Sequence, residues 1–375
     1  MTTELHKLLR ELPAHDWWGR QKAIKSLISH PEKEYITYLE AGLRNHEDAD
    51  IRNTAMEVYK ALGARSFPSL SMLLEDDDPE VRLFAVNILC EIADARAVPL
   101  LRDSLHDEDV NVRCATAEAL GRIGDGSATR LLKEVLGDET WVAMAAIGAI
   151  GEIGGEEALN VLYECLARGA YREAAILALE KAGDRNSIRR LTPCFSDEKL
   201  KELALRAIIK IAERERIRPQ PEYFISLAPL LIEMLDSQNQ EMKKYAFMAL
   251  CWSKDIVGLQ CLLEGVRDEE LQEYAIEGLL SLGRKAVCGI VDELKGSEGR
   301  HRVILAKVLS MIGENMALLQ FAADQDPEVR TEVALAIASL DMSRAAESLK
   351  KMLSDPCEEV RAAARMGLNL PGSNG

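Results

Sequence analysis

The sequence predicts an all-α protein, an α-α superhelix of about twelve stacked helix pairs, and three observations carry that prediction. A basic residue following an Asp-rich turn returns along the 375 residues at a nearly constant step. Apolar residues within each unit recur at helical spacing, and glycine with aspartate punctuates the places where one helix must end and another begin. A chain of this length exceeds the usual single core, so it needs several domains or an architecture that extends without a centre. The repeats select the second.

The basic position runs through Arg20, Arg52, Arg82, Arg113, Arg172, Lys201, Lys243, Arg302, Arg330 and Arg361, with Ala143 and Gln272 filling two further registers. Most steps are 28 to 32 residues, and the step from Lys201 to Lys243 is 42. In one unit Val112, Ala115, Ala119, Leu120 and Ile123 trace a helical face. After Gly124-Asp125-Gly126-Ser127, a second face follows in Ala128, Leu131, Leu132, Val135 and Leu136. Asp78-Pro79, Asp326-Pro327 and Asp355-Pro356 read as helix starts, with Asp capping amides and Pro in the first turn, and Asp355 with Glu358 has capping-box spacing. One helix pair cannot bury both its stripes, whereas stacked pairs form a continuous seam. Small residues such as Ala115, Ala119, Ala145, Ala146 and Ala149 suit close helix approach.

The phrases DDDPEVRLFAVNIL, DEDVNVRCATAEALGRIGDGSATRLLKEVL and DQDPEVRTEVALAIASL resemble HEAT repeats, specifically the short prokaryotic phycobilisome-lyase HEAT-like kind. The resemblance covers essentially the whole chain and is loosest over 1–47 and 183–242. It implies a HEAT-like solenoid and does not choose among functions, because scaffolds, chromophore lyases and a metal-dependent hydroxylase share the repeat. A single solenoid over 1–375 is therefore expected, with a divergent N-terminal unit at 1–47 and an insertion at 212–226. A capping helix at 355–370 and a disordered tail at 371–375 complete it.

Composition narrows the function. A formal charge of −16 with a pI near 5.0 repels polyphosphates and anionic membranes, so nucleic acid is a poor partner. No apolar run reaches the length of a membrane span or a signal peptide, which places the expected protein in the cytoplasm. The 8 cysteines form no CxxC pair, and they read as small hydrophobes within helices. The resemblance includes hydroxylases that hold two irons through several His-Glu dipeptides, yet His46-Glu47 is the only such pair among 6 histidines, at 6, 15, 30, 46, 106 and 301. No nucleotide-binding or serine-nucleophile motif is present, and no metal or cofactor is expected. Of Trp17, Trp18, Trp141 and Trp252, Trp18 and Trp141 lie two residues before the register position, which suggests a packing role at helix starts.

The recurring Arg52, Arg82, Arg113, Arg330 and Arg361 read as a structural ladder. With Asp four residues earlier in several units, each can pair within its helix or reach the turn of the adjacent repeat. Between Lys181 and Arg218 there are 11 Lys and Arg against six Asp and Glu, a basic island suited to an acidic surface or a phosphate group. Arg189, Arg190, Arg214, Arg216 and Arg218 are its candidate residues; solvated helix faces are the commoner account of such charges. The resemblance places the second helix of each pair on the concave side. There the expected docking positions are Arg102, Arg130, Lys133, Asn160, Tyr163, Arg189 and Arg190. The sequence thus points to a monomeric, non-catalytic scaffold or adaptor holding a protein partner, and the alternative is a lyase or oxygenase-type enzyme of the same family.

Overall fold

A computed structural model of the chain describes residues 24–25, 33–224, 227–236, 238–340 and 343–368. Arg20, Trp17, Trp18, the histidines at 6, 15 and 30, and the tail 371–375 lie outside them, as do 225–226 of the insertion and most of the first 32 residues. The described residues are helical, with no strand among them, and the fold class is all-α, of the α-α superhelix kind. Two compact units divide at Leu191 and Thr192.

The first unit contains α1 (Lys33–Leu43), α2 (Ala49–Leu62), α3 (Phe67–Leu73), α4 (Pro79–Ile92), α5 (Val98–Leu101) and α6 (Val110–Ile123). It continues with α7 (Ala128–Glu134), α8 (Thr140–Ile153), α9 (Gly155–Arg168), α10 (Arg172–Ala182) and α11 (Arg185–Leu191). The helix starts follow from capping: Asp78 accepts from the Glu80 amide at 2.9 Å, and Asp109 from the Asn111 amide at 2.7 Å. These bonds satisfy amides that have no partner within the helix. At the other end of α6, Gly124 takes φ 72 and returns its amide to the Leu120 carbonyl, a left-handed stop that glycine adopts without a Cβ clash.

First helices stack on first helices, with α6 packed between α4 and α8, and α8 against α10. The buried face of α6 is broader than the stripe expected for it. Val112, Thr116, Ala117, Ala119, Leu120 and Gly121 are buried, whereas Ala115 and Ile123 are only half-buried. A helix with a neighbour on each flank buries more than one stripe. Glycine sets the closest approach: a Cβ on Gly121 would stand 2.6 Å from the Ala149 Cα, and one on Gly151 would stand 2.9 Å from the Ala178 Cα. Trp141 does not pack as expected. It is 73% exposed at the start of α8, because the residue two before the register position faces outward there.

The second unit contains α12 (Lys201–Glu215), α13 (Ala228–Met234), α14 (Gln240–Ser253), α15 (Leu259–Gly265), α16 (Gln272–Leu282) and α17 (Val287–Gly296). It ends with α18 (Arg300–Ile312), α19 (Asn315–Leu318), α20 (Pro327–Ile337), α21 (Ser343–Met352) and α22 (Glu358–Gly367). Buried side chains from Phe247 to Ala364 form one continuous apolar cluster, the seam that stacking is meant to create.

The long step of the repeat falls at the start of this unit. Here α12 runs 15 residues and stops with Arg216 at φ 51, the Ile217 amide bonding back to the Ala212 carbonyl at 3.0 Å. A short 3-10 turn at Pro221–Tyr223 follows, and Phe224 is fully buried against Trp252, ring centroids 6.1 Å apart. The extra residues are thereby fastened to α14.

Candidate functional site

Two kinds of site emerge from the predicted residues, one holding the repeats together and one facing solvent. In the first, Arg82 of α4 crosses to the turn before α6 and binds Asp107 through two parallel 2.8 Å bonds. Its remaining donor reaches the Asp76 carbonyl in its own turn, also at 2.8 Å. Arg330 repeats the geometry with Asp355 at 2.8 Å twice and the Asp324 carbonyl at 2.7 Å. Arg113 binds Asp138 and the Asp107 carbonyl, and Arg302 binds Asp324 and the Ser297 carbonyl. Arg52 and Arg361 make only the carbonyl contact of this set, to Asn45 at 2.7 Å and Asp355 at 2.8 Å.

The turns before α6 and α20 divide two tasks between two aspartates. In Asp107-Glu108-Asp109, the first receives the arginine of the preceding unit and the Asp109 amide, while the second caps the next helix. The aspartate four residues before Arg82, Arg113 and Arg330 is thus occupied by capping, and the partner of each lies 25 residues ahead. The same division overturns the capping box expected of Asp355 and Glu358. Asp355 occupies the arginine-binding place, and Cys357 stands at the N-cap of α22. Where the register residue is uncharged, the following turn lacks an aspartate: Arg168 to Tyr171 follows Ala143, and Gly296 to Gly299 follows Gln272. Gln272 retains the carbonyl contact alone, to Val266 at 2.8 Å.

These bonds shift proton affinities. The Arg330 side chain, against the opposing effect of burial, holds the Asp355 carboxyl below the usual aspartate range. Asp138 is lowered first by the Glu139 amide and then by Arg113. A carboxylate that binds protons less readily when folded contributes stability above its unfolded pKa of about 3.9, and that contribution is lost as pH falls through the lower folded value. The urea midpoint is therefore expected to hold steady from neutrality to about pH 5 and to drop below about pH 4. A midpoint unchanged down to about pH 3 would contradict the ladder's electrostatic role.

The solvent-facing residues are grouped by the second helices. Arg102 and Arg130 border one open hollow of about 550 Å³, with Pro99 and Leu131 in its wall. Arg130 pairs with Glu157 at 2.9 Å, and Lys133 with Glu164 at 3.0 Å, each reaching the next second helix. Arg190 lies 5.1 Å from the ring centre of Tyr163. The Tyr163 hydroxyl is tied to Ser187 at 2.8 Å, and burial raises its pKa. Asn160 and Arg189 are exposed. In the second unit, Arg214 lies 4.0 Å from Glu215, and Arg216 is the left-handed cap of α12. Arg218 pairs with Glu277 at 2.8 Å at the edge of a hollow of about 650 Å³. Sequence reasoning missed Trp252, Lys254 and Glu277, which share that hollow with Arg218. The one available signal was the lysine in Lys254-Asp255, where the comparable turn at Gly124-Asp125 has glycine.

Among the described residues, no group of three His, Cys, Asp or Glu could hold a metal ion. His46 instead lies between two acids of the next unit, 2.8 Å from Asp78 and 3.2 Å from Glu80. Burial pushes the thiols of Cys90, Cys114, Cys165, Cys251 and Cys261 above their ordinary value. Among the described residues, no helix is long and apolar enough to cross a membrane.

HEAT repeats match residues 67–142 and 289–369, and the PBS lyase HEAT-like repeat matches 142–168. No curated protein matches the chain. Similar solved structures include the complex of CpcE and CpcF of phycocyanin lyase from Nostoc sp. PCC7120, 17% identical with a TM-score of 0.35, covering 65% of this chain and 94% of that one. Kap121p bound to Ste12p is 14% identical with a TM-score of 0.51, covering 98% of this chain and 49% of that one. This chain spans about half the length of Kap121p, and the likeness is one of fold. With the repeat matched in both units and its arginine-to-aspartate contacts present in each, the chain is a HEAT-repeat protein of the PBS lyase HEAT-like type.

Proposed function

We propose that this chain is a non-catalytic scaffold that holds a protein partner along the face formed by its second helices. The observation that carries the reading is the row in the first unit, where Arg102 and Arg130 border one open hollow and Lys133 and the Tyr163–Arg190 stack follow on the same succession of second helices. Mixed charge with an aromatic beside an open hollow is the character of a protein interface. Kap121p, similar in fold, was solved bound to Ste12p, a precedent for such a fold holding a protein. The alternative, a lyase or oxygenase-type enzyme, would draw on a thiolate or a metal. Burial disfavours a thiolate at Cys90, Cys114, Cys165, Cys251 and Cys261.

The test uses the intact chain and its Arg102→Glu, Arg130→Glu double variant as bait for proteins of the source cell. Both side chains are exposed, so unfolding should change by no more than about 0.5 kcal/mol. A defined set of proteins should be retained by the parent and lost from the variant. Retention of the same set by both, or of none by the parent, would defeat the reading.

A further inference from the structure

We infer that the hollow beside the insertion in the second unit is a docking site for an acidic peptide segment carrying one large apolar side chain. The inference rests on the protein-binding reading and adds a second, separate place with its own chemistry. Pro219 and Pro221 form one wall; Trp252 and Leu280 supply the apolar surface opposite; Arg218 and Lys254 stand among the charged lining. Glu277 is the one carboxylate of the lining, and Arg218 occupies it at 2.8 Å. Lys254 is left as the uncompensated charge, so the lining is complementary to an anion.

Two further features favour a peptide here over a chance fold in the surface. The wall is preformed, because Phe224, fully buried, packs on Trp252 and fixes the segment that carries both prolines. A surface that is ordered before binding loses less entropy when it is occupied. The lining also joins half-buried Trp252 and Leu280 to exposed Arg218 and Lys254, and Trp and Arg are residue types that dominate interface energetics. A small-molecule cleft would enclose most of its ligand, whereas Arg218, Gln220 and Lys254 are exposed here.

The backbone beside the hollow is also strained. Lys254 ends α14 at φ 53, a left-handed position that glycine fills at the ends of α6 and α18. A lysine tolerates that conformation at a cost glycine avoids. Ala93 at the end of α4 and Arg216 shortly before the proline wall take the same conformation, so the strain is a cost this fold accepts at more than one helix end.

Strain also supplies the clean variant. Lys254→Gly removes the charge while relieving the backbone, so the variant should melt at or above the parent temperature, and any loss of binding cannot come from unfolding. Random dodecapeptides displayed on phage, selected on the full chain, should converge on Asp and Glu flanking a single Phe, Leu or Trp. Synthetic peptides of that consensus should bind Lys254→Gly and Trp252→Ala at least ten-fold more weakly, and Arg102→Glu, Arg130→Glu with unchanged affinity. Peptides without acidic bias, or none at all, would overturn the inference. Peptides lost only from the Arg102 and Arg130 variant would overturn it too, while leaving the protein-binding reading in place.

Discussion

Arg82→Ala is expected to destabilise the first unit by about 3–5 kcal/mol, because it strands a carboxylate that the fold has taken out of water. The side chains of Arg82 and Asp107 are 7% and 8% exposed, so solvent screens the pair little. The bidentate bond is also the strong form of arginine–carboxylate contact. Removing both charges should cost much less. Arg82→Met with Asp107→Leu is expected to recover most of the loss, since apolar replacements of buried pairs are often neutral. A residue of about 1 kcal/mol should remain, because Asp107 also accepts the Asp109 amide. Urea unfolding of the single and double variants measures both quantities. A single-variant loss below about 1 kcal/mol would mean that the pair behaves as an exposed one.

Leu132→Ala is expected to cost about 2–5 kcal/mol, and to cost it locally. The side chain is fully buried in α7, within the seam that this second helix shares with its neighbouring first helices. In a stacked array each unit is stabilised by its nearest neighbours, so the damage should fade within one or two repeats. Hydrogen exchange followed by mass spectrometry should show lost protection across α6, α7 and α8. Amides of the second unit should exchange as before. Equal loss in both units would refute nearest-neighbour stabilisation and require one global cooperative core.

The period, the helix boundaries at Asp78 and Asp326, and the glycine stop at Gly124 were legible because each is a local rule written in a few adjacent residues. The partner of the recurring arginine was legible only as a choice. The nearby Asp and the distant one are equally acidic, and the fold decides between them by spending the nearby one on amides. Trp141 was misread because helical spacing shows which residues share a face but not whether another element covers it. Arg102 and Arg130 border one hollow, which helical spacing within a single unit could not show. The hollow at Arg218 was invisible to periodicity, since it exists only where the insertion folds back to seat Phe224 on Trp252.

The matched loss of arginine and aspartate at Ala143 and Gln272 bears on how such a chain changes length. A segment cut from one register to the next carries one donor at its head and one acceptor at its tail. Copying or deleting that segment leaves the count of buried ions balanced, so gene duplication can lengthen the molecule without any compensating substitution. A cut made half a repeat out of phase would orphan a charge at each new junction, and selection should therefore favour whole-unit steps.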